Sequence, residues 1–93
     1  MDNFTIARQL LDVARSLEAK QRSLYKVRAY RRAAETIRGL DRPVEDLLAI
    51  EGRKGLKELP GIGVSLSGKI ETLVRTGEIA TLKEDETTVV VRA

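Results

Sequence analysis

The chemistry in this chain starts at Leu59-Pro60-Gly61-Ile62-Gly63, which leads directly into an apolar-periodic stretch. Two glycines there permit positive φ and strip the backbone of Cβ atoms. The first turn of the helix that follows points unpaired N–H groups, with the positive end of the helix dipole, away from the protein. This arrangement binds anions, and a bare backbone admits the phosphate of a nucleic acid. Gly61, Ile62, Gly63, Val64 and Ser65 are the candidate contacts, with Pro60 and Ile62 expected to plug the turn into the core. The plainer alternative is an ordinary tight turn, since Gly-x-Gly alone is a weak pattern. The spacing of Leu59, Ile62, Leu66 and Ile70 favours the first reading, because it lets two helices touch across the turn. Contacts from main-chain amides to phosphate carry little base information, so binding is expected to be independent of base sequence.

A second feature is electrostatic. Lys20, Arg22, Lys26, Arg28, Arg31 and Arg32 place six cations in thirteen residues, and residues 1–40 hold nine Lys/Arg against four Asp/Glu. Arg28, Arg31 and Arg32 lie off the apolar stripe of their helix, where they either neutralise phosphates, making binding fall steeply with salt, or form a solvated face. With Phe4, Tyr25 and Tyr30 as the aromatic residues, base stacking is expected to contribute little. The chain has no Cys and no His, which excludes disulfides, thiolate nucleophiles, imidazole bases and most soft metal sites. Reaction chemistry is left to Lys, Tyr, Ser, Thr and carboxylates.

The positioning elements are helices. Ile6, Leu10, Val13 and Leu17 predict an amphipathic helix over 3–19, capped by Asp2 or Asn3. Val27, Tyr30, Ala34 and Ile37 predict a second over 23–39, with Gly39 as a left-handed stop. Asp41 to Asp46 reads as a helix start with Pro43 in the first turn and Leu47, Leu48 and Ile50 inward. A short helical turn over 54–58 precedes the glycine turn, and a last helix runs to Gly77 with Leu66, Ile70, Leu73 and Val74 inward. The expected fold is all-α, a compact four-helix domain containing a helix-hairpin-helix with short extra helical turns. Ninety-three residues fit one such domain. It is expected to span residues 1–83, with 78–82 making a final turn and 84–93 a flexible tail or cut end. Thr87 to Val91 is β-branched, so strand pairing with another chain is the alternative for the tail. No apolar run approaches the roughly 20 residues of a membrane span, and the first residues lack the order of a secretion signal. The expectation is a cytoplasmic monomer, nucleoid-associated in a bacterial or archaeal cell, with no membrane partner.

Together with the glycine turn, the string Lys26-Val27-Arg28-Ala29-Tyr30-Arg31-Arg32-Ala33-Ala34-Glu35-Thr36-Ile37 resembles the N-terminal domain of family X DNA polymerases, the DNA polymerase beta-like group. The similarity runs over roughly residues 3–83. Pro43-Val44-Glu45-Asp46-Leu47 and Thr76-Gly77-Glu78 look like the bacterial and archaeal versions. The resemblance implies a repair domain that binds the 5′-phosphate of gapped or nicked DNA, joined to a polymerase or nuclease domain. In some members it removes a 5′-deoxyribose phosphate, a lyase step of base excision repair, through a lysine Schiff base. It puts the nucleophile on Lys69, a supporting tyrosine on Tyr30 and phosphate-side cations on Lys26 and Lys57. It further implies a Na+ or K+ held by the carbonyls of Lys57, Leu59 and Ile62. Tyr25 stands where the family has a phosphate-contacting histidine, and Ser65 where it has a basic residue. The polymerase domain with its carboxylates is absent from these residues.

Helical geometry puts Lys69 at the edge of the inward face, its stem shielded and its amine emerging. A neutral amine there attacks an aldehyde, and Lys26, Arg28 or Lys57 nearby would favour the neutral form by like-charge repulsion. The plainer reading is a solvated lysine that attracts DNA. Tyr30 likewise reads as a core residue or as a catalytic aid. A protein-interaction domain without DNA binding is the remaining alternative for the whole chain.

Overall fold

The computed structural model describes residues 1–77, and within them the chain is all-α. Five helices follow in order: α1 (Asn3–Ala19), α2 (Leu24–Arg38), α3 (Val44–Glu51), α4 (Arg53–Lys57) and α5 (Val64–Thr76). Four longer helices with one short addition match the expected architecture. The anticipated turn at 78–82 and the β-branched segment 87–91 lie outside the described residues.

Among the described residues, the first two helices make the largest interface. Ile6, Leu10, Val13 and Leu17 of α1 are buried with Val27, Tyr30, Ala34 and Ile37 of α2. Buried alanines at 7, 14, 33 and 34 leave no bulk between the helices and allow close approach. Both helix starts are capped by a side chain, Asp2 accepting the Thr5 amide at 2.7 Å and Ser23 the Lys26 amide at 3.3 Å. The end of α2 differs from the sequence expectation. Gly39 has φ −85°, and the chain leaves through a right-handed turn in which the Leu40 amide donates to the Ile37 carbonyl at 3.2 Å. The left-handed stop is at Gly77, φ 76°, where α5 ends.

The α3 start is capped from across the molecule. Asn3 Oδ1 accepts the Val44 amide at 2.8 Å while Asn3 Nδ2 donates to the Arg42 carbonyl at 2.8 Å. Pro43 precedes the first turn as the capping position, with Glu45 and Asp46 following as the acids that suit a helix start. Leu47 is buried, but Ile50 is 74% exposed, contrary to the inward role expected for it. At 100° per residue, Ile50 falls roughly 110° from the middle of the Val44–Leu47–Leu48 stripe.

Short α4 folds back on α3 because Gly55 is buried against it. A Cβ there would come within 2.8 Å of Glu51 Cβ and 3.0 Å of Leu47 Cδ1. A guanidinium then ties α4 to α5, with Arg53 donating from Nε at 3.1 Å and Nη2 at 2.7 Å to Glu71 Oε1. Arg75 donates to Glu71 Oε2 at 3.1 Å. The bond from Arg53, reinforced by the charge of Arg75, holds the Glu71 carboxyl below its ordinary range.

Gly55→Ala is expected to cost about 1–3 kcal/mol by overpacking, read as a lower urea midpoint. The lowered acidities of Glu71 and of Asp2, the latter set by its bond from the Thr5 amide, give stability that is present at neutral pH. That stability is lost as pH falls through the folded-state values, below about pH 4. Thermal midpoints should therefore drop on acidification, and Glu71→Gln should flatten part of that drop.

Candidate nucleic-acid interface

Leu59, Pro60, Gly61 and Ile62 form a turn closed by the Ile62 amide donating to the Leu59 carbonyl at 3.2 Å. Proline in the second place and a glycine with φ 77° in the third are the residues a type II turn requires. Three contacts fix this turn on the domain. Ile62 is buried beneath it. The Thr36 hydroxyl donates to the Pro60 carbonyl at 2.7 Å, and the aliphatic part of Arg32 lies over Gly61. A Cβ on Gly61 would sit 2.7 Å from Arg32 Cγ. Pro60 itself is exposed, so Ile62 alone does the plugging expected of both. Pro60 instead presets the backbone of the turn, and its carbonyl accepts from Thr36.

Gly63 also departs from expectation. Its φ is −98°, not positive, and a Cβ there would meet nothing within 4 Å. What glycine provides at this position is access. Behind it, α5 starts without a side-chain cap. Among the described residues, the amides of Gly63, Val64, Ser65 and Leu66 donate to no acceptor. All four residues line a cleft of about 300 Å³. Tyr25, Lys26 and Tyr30 of α2, Gly61 and Gly63 of the turn, and Val64, Ser65 and Lys69 of α5 line it.

Lys69, half-buried, donates from Nζ to the Tyr30 hydroxyl at 3.2 Å and lies 5.7 Å from the centre of its ring. Tyr30 is 2% exposed, so it serves the core with its ring and the cleft with its hydroxyl. A second cleft of about 330 Å³ adjoins the first, lined by Tyr25, Arg28, Ala29, Arg32 and Gly61. Arg31 turns the other way, donating to Glu18 of α1 at 2.8 Å. Lys57 is exposed on α4 and lines neither cleft.

Around the turn, the Lys57 and Ile62 carbonyls accept no hydrogen bond among the described residues, and that of Leu59 keeps one lone pair. Among the described residues no group of acidic, His or Cys side chains could hold a metal ion, and no helix is long and apolar enough to cross a membrane.

Thr36 was not anticipated as an anchor, nor Tyr25 as a wall. The signal for the first was present, because Arg28, Arg32 and Thr36 recur every fourth residue and so share one edge of α2.

A short helix, a glycine turn and a second helix with uncovered amides make a helix-hairpin-helix. Residues 1–79 match the helix-hairpin-helix domain family, and the chain belongs to it. Such domains are generally DNA-binding. No curated protein matches the chain.

The two glycines should separate cleanly. Gly61→Ala is expected to cost about 1–3 kcal/mol through left-handed strain and displacement of Arg32, whereas Gly63→Ala should cost under about 1 kcal/mol. Urea denaturation of both variants checks this, and equal losses would contradict the distinct roles.

Proposed function

We propose that the domain holds the 5′-phosphate side of nicked or gapped DNA, without regard to base sequence, as a module of DNA repair. The observation that carries this is the run of four undonated amides, Gly63 to Leu66, on residues that line one cleft together with Lys26 and Lys69. Amide donors beside two ammonium groups favour a terminal phosphate over a diester, because the terminal group carries nearly twice the charge. The Ser65 hydroxyl adds a donor, and Arg28 and Arg32, which line the adjoining cleft, extend the positive surface to flanking phosphates. An alkali cation, Na+ or K+, on the carbonyls of Lys57, Leu59 and Ile62 would add positive charge beside the turn. The module acts as a monomer in the compartment that holds the DNA, delivering a polymerase or nuclease domain joined to it.

The contact between Lys69 and Tyr30 favours a further activity, 5′-deoxyribose phosphate lyase. The neutral Lys69 amine would add to the C1′ aldehyde of the open sugar, water would leave, and an imine would form. Transfer of the C2′ proton to water then expels the 3′-phosphate, breaking the C3′–O bond and leaving that phosphate on the DNA strand, and hydrolysis of the imine frees Lys69. The Tyr30 hydroxyl holds the amine at the cleft wall in this scheme.

Fluorescence anisotropy should show roughly tenfold tighter binding to a gapped duplex with a 5′-phosphate than to its 5′-hydroxyl counterpart, the difference shrinking in Gly63→Ala. Equal binding to blunt duplex would overturn the reading, and no binding at low salt would favour a protein-interaction domain. Borohydride on an incised abasic duplex should trap a covalent adduct that Lys69→Ala abolishes. No adduct, or one undiminished in that variant, removes the lyase assignment.

A further inference from the structure

We propose that the domain takes two consecutive phosphates of one strand, the terminal one in the hairpin cleft and the next between Arg28 and Arg32, with the intervening base laid on Tyr25. This rests on reading the hairpin cleft as the terminal-phosphate site and adds a second subsite to it.

Tyr25 is 81% exposed although it is one of only three aromatic residues in the chain. Its ring stands at the boundary of the two clefts and lines both. The other residues common to them are Ala29 and Gly61, neither with a side chain larger than a methyl group. The ridge between the clefts is therefore low, and a sugar-phosphate backbone can cross it beside the Tyr25 ring. An exposed aromatic face at such a crossing offers a stacking surface to a base of any identity.

The second cleft has the chemistry of a phosphodiester site. Arg28 and Arg32 are one helical turn apart on the same edge of α2, and guanidinium groups match phosphate oxygens as paired donors. Elsewhere Arg31, Arg42, Arg53 and Arg75 each bind a carboxylate, whereas Arg28 and Arg32 bind none among the described residues. Arg32 is also held in place beforehand, its stem lying over Gly61, so less freedom is lost when a phosphate arrives. A base on Tyr25 must leave its pairing partner, so the preferred ligand is a 5′-phosphorylated strand end whose first nucleotide is unpaired.

The test is titration, by chemical-shift changes, of three ligands into the whole chain. These are thymidine 5′-monophosphate, the 5′-phosphorylated thymidine dinucleotide, and the same dinucleotide with a 5′-hydroxyl. The phosphorylated dinucleotide should bind at least about tenfold tighter than the mononucleotide. The double variant Arg28→Gln with Arg32→Gln, which keeps the Arg32 stem over Gly61, should erase that gain, so that the variant binds the dinucleotide no more tightly than the mononucleotide. It should also lower the salt slope by roughly 0.7, one phosphate of a single strand. Tyr25→Ala should weaken the dinucleotide roughly five- to tenfold, Tyr25→Phe should restore it, and Arg15→Gln on α1 should change nothing. If the 5′-phosphate makes no difference to the dinucleotide, the terminal-phosphate site itself is wrong and this subsite falls with it. If the 5′-phosphate matters but the Arg28/Arg32 double variant keeps the full dinucleotide gain, the second subsite alone is refuted.

Discussion

Gly61 sits in the left-handed region with the stem of Arg32 pressed over it, and the Pro60 carbonyl beside it is fixed by the Thr36 hydroxyl. Any side chain at Gly61 would have to displace Arg32 and strain the backbone at once. The turn is therefore seated on α2 by contact rather than merely spanning the gap between α4 and α5. Because α5 begins two residues later, its uncovered amides inherit that seating, and their position relative to Lys26 and Tyr30 of α2 is set by the same contacts. Preorganised donors of this sort need no rearrangement when an anion arrives, which is what gives backbone amides their strength as anion ligands.

The remaining packing keeps this geometry rigid from below. Ile62 enters the core between the helices while α4 closes on α3 at Gly55, where no larger residue fits. Arg53 and Glu71 then lock α4 to α5 on the outside. The two helices of the hairpin are thus joined at the turn by Ile62 and on the surface by an ion pair, one apolar and one charged. Neither uses Lys26, Lys69, Arg28 or Arg32, which line the two clefts.

Charge alone does not define the interface. The sequence concentrates positive residues before position 40, yet Arg31 is engaged by Glu18, and Lys57, on α4, borders neither cleft. Which cations of a basic helix face a ligand depends on rotation about its axis in steps of 100°, and on what the neighbouring helix presents there. Arg28 and Arg32 fall on the edge nearest the turn. One residue away, Arg31 falls on the edge nearest α1.

The sequence by itself determined the helices, their apolar faces and the glycine turn between α4 and α5. Periodic Ile, Leu and Val, together with the Pro-Gly order, encode those through local geometry acting over a few residues. Tertiary structure alone decided that Asn3 caps a helix more than forty residues away, that Gly39 ends α2 without a left-handed residue, and that Gly63 serves access while Gly61 serves conformation. It also decided that Ile50 and Pro60 face solvent. Those outcomes depend on which atoms from distant segments come to lie alongside, and no pattern of residue types along the chain carries that information.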